Sequence, residues 1–162
     1  MARVYISIGS NIEPEHHVRL ALQALQKEYG QLVLSSVYES EAVGFAGDNF
    51  LNLVVALDTD QDVHTVATRL RTIEDENGRT RNGPRFSSRT VDLDLLLYDD
   101  LILKEAGLEI PRDEITKNAF VLLPLAEIAP EVLHPELKQS MSVLWQSYDK
   151  DAQKLWAVDF NL

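Results

Sequence analysis

Residues Thr90-Val91-Asp92-Leu93-Asp94-Leu95-Leu96-Leu97-Tyr98 alternate acidic and aliphatic side chains. In a strand, successive side chains point to opposite faces. A strand over 90–98 puts Val91, Leu93, Leu95 and Leu97 on one face and Asp92 and Asp94 together on the other. Carboxylates two apart on a strand stand roughly 7 Å from each other, so both can reach metal ions that bridge a polyphosphate. Directly upstream, residues 77–89 carry Arg79, Arg81, Arg85 and Arg89, two glycines and no acid. Arginine's fixed fork of donors suits phosphate oxygens, and magnesium prefers few carboxylates plus phosphate. Either feature alone has an ordinary explanation, a half-exposed strand or a solvated loop. Together they point to a nucleotide polyphosphate with magnesium.

Net charge sharpens this reading. The chain has 162 residues and a formal charge of −11, yet six of its 15 basic residues lie between Arg69 and Arg89. An acidic chain with one local basic patch suits a small anionic ligand and argues against a nucleic-acid partner. The apolar fraction of 45% is ordinary for a globular chain, and the length suggests a single domain over residues 1–162. There are no cysteines, which excludes disulfides, thiolate metal sites and a cysteine nucleophile. No apolar run is long enough for a membrane span, and the N-terminus reads as a strand and not as a leader. A cytoplasmic monomer with no membrane partner is the expectation.

Taken in order, residues 3–9 read as a strand ending in Gly9-Ser10-Asn11, and Pro14 opens a helix that Gly30 closes. Residues 31–39 read as a second strand, 40–49 as a candidate binding loop, and 50–57 as a third strand with Asn52 inside an apolar run. That amide satisfies its surroundings or reads a ligand. Asp60 or Asp62 caps a helix with Val63, Val66, Leu70 and Ile73 inward; on its other side Arg71 and Glu74 stand at i, i+3 and can pair. After the Asp strand come short extended pieces at 101–103 and 108–111, a short helix at 113–118, an apolar helix near whose start Pro124 falls, a weak helix at 141–148 and a strand at 154–160. The order strand, helix, strand, strand, helix, strand is the split β-α-β arrangement, an α+β ferredoxin-like α/β/α sandwich with a mainly antiparallel sheet. The four histidines show no ligand spacing. No Walker A, Gly-x-Gly-x-x-Gly or Gly-x-Ser-x-Gly motif is present.

Five pieces carry a resemblance: Ser7-Ile-Gly-Ser-Asn11, Asn49-Phe-Leu-Asn52, Gly78-Arg-Thr-Arg81, Arg89-Thr-Val-Asp-Leu-Asp-Leu-Leu-Leu-Tyr98 and Phe120-Val-Leu-Leu-Pro-Leu-Ala-Glu-Ile-Ala-Pro130. Spread over almost the whole chain, they resemble the 6-hydroxymethyl-7,8-dihydropterin pyrophosphokinases of folate synthesis. The resemblance implies transfer of pyrophosphate from ATP to a pterin hydroxymethyl group, with two magnesium ions. Position by position, it implies that Asp92 and Asp94 bind the metal. Arg79 and Arg89, joined by Arg81 and Arg112, would hold ATP phosphates, with Arg71 and Glu74 along the nucleotide. Val43, Gly44, Asn52 and Phe120 would form the pterin pocket. Phe86 would stand where the family has a loop tryptophan that closes over the pterin, in a loop mobile without ligand.

The chain departs from the family pattern at Glu41, Phe50, Ser87, Ser88, Arg112 and Asn118. Arg112 replaces a histidine and Asn118 an arginine, so Arg112 is expected to restore the positive charge lost at 118. The departures keep a second class open, a non-catalytic relative that binds a pterin or nucleotide as a sensor or interaction module.

Overall fold

The structure is a computed structural model that describes residues 1–41, 48–77 and 91–160. Its elements run β1 (Ala2–Ser10), α1 (Pro14–Tyr29), β2 (Val33–Leu34), β3 (Val37–Ser40), β4 (Phe50–Thr59), α2 (Val63–Glu76), β5 (Asp92–Tyr98), β6 (Leu103–Glu105), β7 (Leu108–Ile110), α3 (Glu114–Lys117), α4 (Ala119–Ile128), α5 (Met141–Ser147) and β8 (Leu155–Val158). The main sheet has the order β5-β1-β4-β3-β8, with β2 also on β4 and every pair antiparallel. β6 and β7 form a separate hairpin. This is the α+β, ferredoxin-like arrangement that the order of elements implies.

Two apolar layers sandwich the sheet. Val4, Ile6 and Ile8 of β1, with Leu51, Leu53, Val55 and Leu57 of β4, meet the inward stripes of α1 and α2. Tyr5, Val54 and Ala56 point the other way, onto α4 and α5. Strand alternation makes both faces apolar in the middle of the sheet, and each fully buried aliphatic side chain contributes roughly 1.5–3 kcal/mol. Local signals set the helix ends. Pro14 sits in the first turn of α1 and Gly30 closes it at φ 80. Of the two candidate caps for α2, Asp62 serves, its carboxylate accepting the Thr65 N–H at 2.8 Å.

Four sequence readings are corrected. Leu97 does not share the face of Leu93 and Leu95. The pairing shifts from Ile6↔Leu95 to Tyr5↔Leu97, so Leu96 is the extra residue of a bulge, and Leu96 and Leu97 both enter the α4/α5 layer. The Leu96 carbonyl is met instead by the N–H of Arg112 at 3.1 Å. Residues 31–39 form two short strands, β2 and β3. Between them the Ser35 N–H still donates to the Val54 carbonyl at 2.9 Å, but the Val54 N–H is taken by the Ser35 hydroxyl in place of a backbone carbonyl. Pro124 lies inside α4, whose N-cap is Asn118. Glu74 faces inward, buried against β5, whereas Arg71 is exposed and donates to the Gly107 carbonyl at 3.5 Å.

Candidate functional site

The cross-strand register lines up two polar rows on the α4/α5 face of the sheet. In the first, Asp92 stands opposite Gly9, Gly9 opposite Asn52, and Asn52 opposite Tyr38. In the second, Asp94 stands opposite Ser7 and Ser7 opposite Val54. Neighbouring strands are about 4.8 Å apart, so the acids and Asn52 lie roughly 10 Å apart across β1. The same face is already apolar at Val54 and stays so further along the strands, at Tyr5, Ala56, Leu96 and Leu97.

Asn52 is buried at 6% exposure, and its Nδ2 donates to the Ser40 hydroxyl at 2.7 Å. Its Oδ1 is directed over Gly9, where a Cβ would lie 3.0 Å away. Gly9 is thus the space into which the Asn52 carboxamide fits. Tyr38, the next residue in that row, donates its hydroxyl to Glu127 Oε1 at 2.8 Å, and Glu127 Oε2 accepts the Ser36 N–H and hydroxyl. Burial, then the adjacent Glu127 carboxylate, push the Tyr38 phenol up to about 12. It stays neutral and acts as a donor. Phe120 is half-buried in the first turn of α4 and packs on the same apolar layer.

On the other side of the acids, Glu74 Oε2 accepts the Leu93 N–H at 2.8 Å, between Asp92 and Asp94 in sequence. It covers a donor on the outer edge of β5 and so steadies the backbone that carries both carboxylates. Arg112 Nη2 lies 3.4 Å from Asp94 Oδ1 and 2.8 Å from Glu114 Oε1, and Arg112 Nε donates to that same Glu114 oxygen at 3.0 Å. Burial opposes the charge on Arg112, but Asp94 and Glu114 outweigh it and hold its pKa above the ordinary arginine value. Burial raises the Asp94 carboxyl to about 7; Arg112 opposes that rise, while Glu114, Asp92 and Glu74 add to it. Among the described residues no group of three or more acids or histidines gathers around one point. The two carboxylates Asp92 and Asp94 are nonetheless hard oxygen donors on one strand face, and such a pair fits magnesium, which takes few carboxylates and fills its shell with phosphate and water.

Among the expected site residues, the fold therefore brings Asp92, Asp94, Arg112, Asn52 and Phe120 to one end of one sheet face, while Glu74 reaches the β5 backbone from α2 on the opposite face. Arg71 stands apart at the β6–β7 turn. Val43, Gly44, Arg79, Arg81, Phe86 and Arg89 lie outside the described residues, as do Ser87 and Ser88. Ser40, Tyr38, Glu114 and Gln153 join the site without having been singled out from the sequence. Ser40 meets Asn52 through a side-chain hydrogen bond and Tyr38 through strand register, and neither link shows in the local pattern. The last two sit in weakly patterned stretches.

Residues 5–130 match the family model described as 7,8-dihydro-6-hydroxymethylpterin-pyrophosphokinase. The chain is 38% identical over 138 residues to the 2-amino-4-hydroxy-6-hydroxymethyldihydropteridine pyrophosphokinase of Pseudomonas aeruginosa, covering 83% of this chain and 85% of that protein. It is 39% identical over 142 residues to the protein of the same name from Porphyromonas gingivalis, covering 84% and 96%. Among solved structures, Plasmodium falciparum HPPK-DHPS superposes with a TM-score of 0.69 at 16% identity over 90% of this chain. This chain spans 43% of that longer protein, and at such identity the likeness concerns the fold alone.

Proposed function

The chain belongs to the 7,8-dihydro-6-hydroxymethylpterin-pyrophosphokinase family, and on that footing we propose how its residues carry the reaction. The protein is a pyrophosphokinase of folate biosynthesis. It transfers the terminal pyrophosphate of ATP to the hydroxymethyl oxygen of 6-hydroxymethyl-7,8-dihydropterin. The pterin oxygen forms a bond to the β-phosphorus, the bond from that phosphorus to the α–β bridging oxygen breaks, AMP leaves, and the hydroxyl proton passes to solvent.

Asn52 reads the edge of the pterin ring. Its orientation is held by Ser40 and the space over Gly9, so the buried carboxamide loses little freedom on binding. Phe120 supplies an apolar wall, with Val43, Gly44 and Phe86 completing the pocket. Asp92 and Asp94 would hold two magnesium ions, which would supply positive charge against the phosphates. Arg79, Arg81, Arg89 and Arg112 bind the ATP phosphates, and Glu74 holds the β5 backbone that carries both acids. The work of these groups is positioning and electrostatic stabilisation, the general pattern of phosphoryl transfer.

One observation carries the reading: two carboxylates and a buried carboxamide share one sheet face with a single glycine strand between them. That spacing supports a metal-bound phosphate chain and a flat heterocycle side by side. Family membership favours this enzyme over a non-catalytic binding relative. The chain is proposed to act as one domain over residues 1–162 and as a cytoplasmic monomer, without nucleic-acid or membrane partners. Its −11 charge supports the part of this that concerns nucleic acid; among the described residues, no helix is long and apolar enough to cross a membrane. Incubation with ATP, magnesium and the pterin tests the function. AMP and pterin diphosphate should form in equal amounts, and AMP formation independent of the pterin would refute it.

A further inference from the structure

Arg112 and Asn118 meet on one residue, Glu114. Its Oε1 takes both Nε and Nη2 of Arg112, at 3.0 and 2.8 Å. Its Oε2 accepts from Asn118 Nδ2 at 3.4 Å. Asn118 Oδ1 in turn accepts from Gln153 Nε2 at 2.9 Å, and Gln153 Oε1 accepts the Ala119 N–H at 2.8 Å, at the start of α4. Glu114 is thereby tied to the helix that carries Phe120.

The contact between Arg112 and Asp94 is of a different grade. Nη2 is shared, and the 3.4 Å to Asp94 Oδ1 is well beyond the 2.7–2.9 Å of a strong charge-assisted bond, whereas the 2.8 Å to Glu114 lies within it. Glu114 therefore wins the guanidinium and leaves Asp94 with a loose neighbour. Without that hold, the fork of Arg112 could turn onto Asp94 and grip it through two parallel hydrogen bonds, the geometry arginine favours with a carboxylate. A guanidinium so placed competes with a divalent cation for the same oxygens.

We propose that Glu114 is a positioning residue that holds Arg112 off Asp94, keeping that carboxylate available to the divalent cation while leaving the arginine beside the phosphate site. This rests on the assignment of Asp92 and Asp94 as metal ligands, and it concerns a residue that touches neither metal nor substrate.

Binding of Mn²⁺ to the nucleotide-free protein, followed by electron paramagnetic resonance of the free ion, tests it without turnover. Glu114→Gln should weaken Mn²⁺ binding roughly five- to ten-fold, and Arg112→Gln should tighten it several-fold. In the Arg112→Gln background the effect of Glu114→Gln should shrink to less than about two-fold, since interacting pairs show such non-additivity. Equal effects of Glu114→Gln in both backgrounds would overturn the proposal, because Glu114 would then act only as a nearby negative charge. Glu114→Asp keeps the charge but shortens the reach, so it too should weaken Mn²⁺ binding; wild-type affinity in that variant would also overturn it. Circular dichroism checks the fold of each variant. Asp94→Asn separates the two failures: unchanged Mn²⁺ affinity there would remove the metal assignment itself.

Discussion

A Cβ on Gly9 would lie 3.0 Å from Oδ1 of Asn52, closer than neighbouring atoms tolerate without moving. The two residues stand opposite each other on β1 and β4, so neither backbone can yield without disturbing the centre of the sheet. Gly9→Ala should therefore push the Asn52 carboxamide off Ser40. Pterin affinity is expected to fall at least about tenfold while the affinity for an ATP analogue changes little, with roughly 1–3 kcal/mol of stability lost to overpacking. Calorimetric titration with each ligand separates the two. A parallel loss of both affinities would mean that the clash spreads beyond Asn52.

Asp92→Asn and Asp94→Asn should each lower kcat by at least about 10²-fold, the usual cost of removing a preorganised charge contact. The Asp94 variant carries a second expectation. Its carboxyl, raised to about 7, binds a proton more tightly in the folded than in the unfolded chain. Folded stability must then fall as pH rises from the ordinary carboxylate range to about 7. Asp94→Asn should thus stabilise the ligand-free protein at pH 8 relative to wild type, with a smaller difference near pH 4. Thermal melts across that range check the sign. In wild type, metal affinity should decline as pH drops below about 7, since the ligating form is the ionised one.

Arg112→Ala should weaken binding of a non-hydrolysable ATP analogue by roughly 1.5–3 kcal/mol, the range for a hydrogen bond to a charged group, and leave pterin binding nearly unchanged. Its backbone N–H, bonded to the Leu96 carbonyl, is untouched by the substitution. Equal nucleotide affinity in both proteins would assign Arg112 to the Glu114 network alone.

His134 supplies a pH dependence far from the chemistry. It is buried, and its Nδ1 accepts the N–H groups of Glu136 and Leu137, each at 3.2 Å. Burial lowers its pKa, Lys104 adds to that, and Glu136 opposes it. Protonation would turn an acceptor that faces two donors into a third donor. Because the folded value lies below the unfolded one, this stabilisation is complete above about pH 6.5 and is lost as pH falls below it. His134→Asn retains an acceptor that does not titrate, so the melting temperature of this variant should vary less than that of wild type between pH 7 and 5.5. Identical pH profiles would exclude the role.

Much of the architecture is legible in the chain because it depends on local periods. Alternation sets Asp92 and Asp94 apart from Leu93 and Leu95, the stripe from Val63 to Ile73 makes α2 amphipathic, and Asp62 caps it. Leu97 escaped that logic. In Leu95-Leu96-Leu97 no polar side chain marks the face, so a bulge that changes the period leaves no trace in composition. Glu74 escaped for the opposite reason: a charge on a helix reads as solvent-facing until an edge N–H at Leu93 provides the partner that makes burial tolerable.

By itself, then, the sequence determined the three-layer α/β/α plan and the pair of acids on one strand face, since period 2 and period 3.6 are properties of the backbone that neighbouring residues express together. It also determined the family, through motifs spread along the chain. Only the tertiary structure decided that Gly9 makes room for Asn52, that Glu74 secures the strand between the acids, and that Arg112 is divided unequally between Asp94 and Glu114. Each of these is set by the register between strands or by a hydrogen bond spanning distant segments. Such contacts depend on which groups meet when the whole core closes, and no local period encodes them.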